Sequence, residues 1–120
     1  MSQGCGELVW GLLNGVTTAH VYHLKSRSYA QHMALGELYE KLSDLTDALV
    51  EAYQGAYGLV DDYPTTFELP AGDAVQWLRG FSRFLRERRA DVGNDTELQN
   101  ICDEIAALLD TTNYKLTFLG

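Results

Sequence analysis

The sequence is poor in cysteine and proline, with two of each in 120 residues, and poor in positive charge, with nine Lys and Arg against seventeen Asp and Glu. Each shortage excludes something. Cys5 and Cys102 fit no metal-binding or redox spacing and cannot staple a small fold, so they read as reduced thiols in a cytosolic-type compartment. A net charge of −8 leaves too little cation to neutralise a phosphate backbone, which argues against DNA as the main ligand. The one basic cluster, Arg86-Glu87-Arg88-Arg89, falls where a helix should end and cations complement the macrodipole. No apolar run approaches the roughly 18 residues of a membrane span. The opening stretch has no basic leader segment and its apolar run is broken by Gly11, Asn14 and Gly15, so no secretory signal is expected. A glycine-rich phosphate loop, a Gly-x-Ser-x-Gly elbow and a Cys–His nucleophile pair are all absent. So is Glu-x-x-His, which excludes the di-iron site that larger carboxylate proteins build inside one bundle.

What is present is apolar periodicity. With 46% hydrophobic and 22% charged residues, 1–120 reads as a single soluble globular domain. The spacing predicts four helices. The first covers about Glu7 to Leu24, with Leu8, Leu12, Val16, Ala19, His20 and His23 along one side. The second covers about Ser28 to Tyr53, capped by Ser26 or Ser28 and ended by Gly55 and Gly58. Its inward positions are Tyr29, His32, Leu35, Leu38, Tyr39, Leu42, Leu45, Leu49 and Tyr53. Asp73 and Asp95 are expected to cap the third and fourth helices. The third turns Val75, Leu78, Phe81 and Leu85 inward, with Trp77 or Phe84; the fourth turns Leu98, Ile101, Ile105, Leu108 and Leu109 inward. Short links give two antiparallel hairpins. The segment between them, with Pro64, Pro70 and Gly72, could extend about 50 Å at 3.3 Å per residue, enough for a crossover along the outside of the bundle. Two hairpins tied by one long crossover is the ferritin-like form of an all-α four-helix bundle.

Four residues within that pattern carry chemistry: His20, His32, Asp47 and Glu51. Imidazoles and carboxylates are the usual protein ligands of iron and zinc. His20 and His32 lie on either side of the Lys25-Ser26-Arg27 link, so a hairpin should bring them level. Asp47 and Glu51 share a helix face one turn apart. At 1.5 Å per residue, Asp47 is roughly 22 Å from His32 along the helix and Glu51 about 28 Å. One metal cannot touch both pairs in one subunit. A joint site therefore requires two chains. His23 is one turn from His20 and could join the site, or pack and cap the helix end.

This quartet resembles the Dps proteins, the mini-ferritins of bacteria. That family carries a His on the first helix, a second His twelve residues on, then Asp at +15 and Glu at +19 from the second, which here are His20, His32, Asp47 and Glu51 without a gap. With about one residue in seven acidic, two specified acidic positions arise by chance about once in fifty. The resemblance covers about a third of the chain. It implies a homo-oligomer built on a two-fold dimer, with iron as the metal. Each ferroxidase-type site would take His20 and His32 from one protomer and Asp47 and Glu51 from its partner. The dense tyrosines are explained by core and interface packing, with electron donation by Tyr29 or Tyr39 near an oxidising metal as the alternative. The sequence departs from the family at several places. Gly36 stands where many members carry Asp, with Glu37 about 100° round the helix. Val21 replaces the usual Trp, Val50-Glu51-Ala52 replaces Ala-Glu-Arg, and the Lys-rich DNA-binding tail is missing.

Two other readings use the same residues differently. One is a structural or adaptor bundle, for instance a bacteriophage component, that keeps the dimerising helices without metal chemistry. The other is a helical module binding one protein partner through its acidic face. The expected setting is a bacterial or phage-infected cytoplasm, with the virion as the alternative.

Overall fold

In a computed structural model, residues 4–119 are described, and they form four α-helices without a strand. The helices are α1 (Cys5–Lys25), α2 (Tyr29–Tyr57), α3 (Ala74–Arg88) and α4 (Thr96–Phe118), with one 3-10 turn at Arg89–Val92. At 1.5 Å per residue the 29 residues of α2 are about 44 Å long, which sets the longest dimension of the molecule, 44 Å.

The ends follow their local chemistry. The Ser28 hydroxyl accepts from the Gln31 amide and caps α2, while the Ser26 hydroxyl accepts from the Ser28 amide beside it. Asp73 and Gln76 form a reciprocal capping box at the start of α3. Asp95 does hold the cap position of α4, but its carboxylate accepts from the Tyr57 hydroxyl and no side-chain cap forms. Gly55 does not end α2. The helix runs through it and stops at Gly58, whose φ of 103° suits glycine.

The helices α1 and α4 each pack against both α2 and α3. Each neighbouring pair is antiparallel. Tyr22 meets Trp77 and Gly15 meets Phe81 between α1 and α3; Glu37 meets Lys115 and Tyr57 meets Asp95 between α2 and α4. Residues 58–73 run beside α1. The Asp62 carboxylate accepts from the Gly4 amide, the Thr66 carbonyl from Trp10 Nε1, and the Gly72 carbonyl from the Tyr22 hydroxyl. Burial is contributed by all four helices: Leu8 and Leu12, Leu35, Leu38, Leu42 and Leu49, Leu78 and Leu85, Leu98, Ile105 and Leu109.

Two inward assignments need correction. Tyr29 is 78% exposed, because it lies six residues before Leu35 and so about 120° off the buried face of α2. His20 is exposed rather than inward.

Candidate functional site

The histidines gather at the α1–α2 turn, in a register shifted from the one the sequence suggests. Because α1 continues to Lys25 and α2 begins at Tyr29, the hairpin is centred near Arg27 and Ser28. His32 therefore faces His23. Their rings stack with centroids 3.7 Å apart and planes 18° from parallel. His20 sits further along and stacks on Tyr39, 4.1 Å between centroids and 8° from parallel. His20 and His23 are 6.0 Å apart, and His23 meets the edge of Tyr39 at 5.4 Å.

The His23–His32 contact is reciprocal. Nδ1 of His23 lies 2.6 Å from the His32 carbonyl oxygen, and Nδ1 of His32 lies 2.8 Å from the His23 carbonyl oxygen. A carbonyl only accepts, so both Nδ1 atoms carry hydrogen. In each neutral ring the free lone pair is then on Nε2, the arrangement of a metal-ligating histidine whose second nitrogen is tied to the backbone. The His23 carbonyl, in the last turn of α1, accepts from the Ser26 amide at 3.4 Å as well as from the His32 ring.

Asp47 and Glu51 stand exposed on α2, and no ion pair or hydrogen bond engages either carboxylate among the described residues. No group of three or more His, Cys, Asp or Glu converges on a metal position among the described residues of the single chain. A groove of about 530 Å³ opens on the outer side of α2, lined by His23, Met33, Gly36, Glu37, Tyr39 and Lys115 among others. Glu37 bridges Lys41 on its own helix and Lys115 on α4, at 3.0 and 3.2 Å. Hydrogen bonds from these two lysines hold its carboxyl below the usual carboxylate value.

Gly36 is the residue whose role sequence reasoning missed. A Cβ there would lie 2.9 Å from Cε1 and 3.0 Å from Nδ1 of His23. The position is kept bare by an imidazole from the other helix. The only sequence signal was an unexplained glycine inside a long helical pattern.

The fold and site thus define an all-α four-helix bundle with a histidine-lined hairpin at one end. Residues 23–116 match the family of unknown function DUF5856, and the chain belongs to that family. The matched stretch includes His23, His32, Gly36, Asp47 and Glu51 and leaves His20 outside. No curated protein and no solved structure matches the chain. No described helix is long and apolar enough to cross a membrane.

Proposed function

We propose that this chain is a ferritin-like, Dps-like protein that pairs through the outer face of α2 and takes up iron at the two-fold interface. His20 and His32 of one protomer and Asp47 and Glu51 of its partner are the ligands. The observation that carries this reading is the state of Asp47 and Glu51, two exposed carboxylates one turn apart, unpaired among the described residues and far along α2 from His32. They are donors without a counterpart among the described residues of their own chain. The route of residues 58–73 along α1 supports the ferritin-like connection. The Nδ1 bond of His32 to a backbone carbonyl leaves the nitrogen that a metal would need. Imidazole nitrogen with carboxylate oxygen suits iron in both oxidation states, and iron would be the substrate of a ferroxidase reaction there.

The His23–His32 stack favours a second reading. A ring engaged in structural bonds, beside a glycine where a carboxylate ligand is usual in the resembled family, fits a non-catalytic structural or adaptor oligomer such as a phage component.

Anaerobic Fe(II) titration, with the mass in solution measured on the same sample, separates them. The first reading expects an oligomer that saturates at stoichiometric iron, lost in both His32→Ala and Asp47→Ala. An oligomer without stoichiometric iron leaves the second. Saturation that neither substitution changes overturns the ligand set.

A further inference from the structure

We propose that His23 is the positioning residue of this site: its imidazole, seated in the slot left by Gly36, holds His32 with Nε2 free to bind a metal. The proposal rests on the interfacial iron reading for its purpose, but the positioning itself is a property of the metal-free chain.

Three observations on the His23 ring converge. The His23 ring covers the face of the His32 ring at 3.7 Å. Its Nδ1–H donates to the His32 carbonyl at 2.6 Å, so the ring cannot swing without losing that bond. At its Nδ1–Cε1 edge Gly36 offers no Cβ, and any side chain there would press on the ring at 2.9–3.0 Å. His23 is thus fixed by a bond, a stack and a slot. Tyr39 closes a fourth side by its edge at 5.4 Å.

His23 cannot be a ligand of the same ion as His32. Lone pairs lie in ring planes, and two rings with centroids 3.7 Å apart and planes only 18° from parallel cannot both aim at one ion at the usual distance of about 2.0–2.1 Å. What His23 can do is restrict rotation of the His32 ring, so that its Nδ1–H stays on the His23 carbonyl and Nε2 keeps the lone pair. Metal-ligating histidines need that restraint. The His23 backbone carbonyl supplies the acceptor, and the stacked His23 ring keeps the His32 ring turned towards it. Gly36, which removes a carboxylate from the site, would then be what admits the ring that orients the remaining imidazole.

Imidazole nitrogen-15 spectra of the metal-free protein, taken where the rings are neutral, test the positioning directly. His32 should show a fixed Nδ1–H form in the parent chain and a mixture of both tautomers in His23→Ala. Gly36→Ala, which displaces the ring without deleting it, should give the same mixture. His23→Phe loses the bond to the His32 carbonyl but keeps a flat ring held by the stack and the slot, and should largely restore the fixed form, which separates positioning from general loss of structure. In parallel, Fe(II) affinity should fall in His23→Ala, by less than the roughly 10- to 100-fold of losing the second-nitrogen partner outright because the backbone carbonyl remains, and recover in His23→Phe. An unchanged His32 tautomer in His23→Ala overturns the proposal, as does unchanged Fe(II) affinity. A parent chain that binds no Fe(II) overturns the iron reading alone, and the spectra still decide the role of His23.

Discussion

Arg89 and Gln99 hold each other in both directions. Arg89 Nε donates to Gln99 Oε1 at 2.8 Å, and Gln99 Nε2 donates back to the Arg89 carbonyl at 2.8 Å. Gln99 also reaches the Gly93 carbonyl, and Arg89 reaches Asp103 at 2.6 Å. The basic cluster that closes α3 is therefore a clasp on the α3–α4 turn as well as a complement to the helix dipole. Arg89→Ala should lower stability by about 1.5–3 kcal/mol, the range for charged hydrogen bonds left unmade. Arg86→Ala is the control. Its pair with Asp110 is exposed on both sides, and its loss should cost less than about 1 kcal/mol in urea unfolding.

Two glycines of α2 should respond to alanine with opposite sign. Gly55 has nothing within 4 Å of the place a methyl group would occupy, so Gly55→Ala should stabilise by about 0.5–1 kcal/mol through helix propensity and chain entropy. Gly36→Ala gains the same propensity but overpacks His23, at a typical cost of about 1–3 kcal/mol. It should come out destabilised in thermal or urea unfolding. Equal shifts at both positions would mean that the His23 ring yields freely.

Thr46 is 1% exposed and its hydroxyl has no hydrogen-bond partner among the described residues. Leaving such a group buried costs about 1–3 kcal/mol. Thr46→Val keeps the shape and removes the polar atom, and the two residues have similar helix propensity. The variant should unfold at a urea concentration equal to or above that of the parent. A clear loss would reveal a partner for the hydroxyl in solution.

Burial pushes the Cys5 thiol up from 9.0 to about 11, with the nearby Asp62 and Asp91 adding to the shift, and burial raises Cys102 as well. A group whose folded value is raised contributes stability that is complete below its unfolded value and is lost as pH climbs. The loss should thus begin near pH 9 and continue towards about 11. Tyr22 and Tyr63 are also raised by burial and add to the upper part of the window. Cys5→Ala should flatten the slope between those limits. In the native state at neutral pH neither thiol should react with iodoacetamide at a measurable fraction of the unfolded rate.

The sequence by itself determined the four helices, a serine cap for α2 at Ser26 or Ser28, Asp73 as the cap of α3 and most of the buried leucines. These depend on contacts within one or two turns, which spacing encodes directly. It also determined that His32 and the Asp47–Glu51 pair cannot meet in one subunit, since helical rise alone separates them. Tertiary structure decided the rest. Tyr29 faces outward because the buried stripe of α2 is set by what α1 and α4 cover, not by the polarity of one aromatic. Which imidazole faces His32 depended on where the hairpin is centred, and moving that centre from Ser26 to between Arg27 and Ser28 exchanged His20 for His23. Gly36 was legible only as an anomaly, because the atom that requires it belongs to another helix. A close approach between helices leaves no trace in the spacing along either of them.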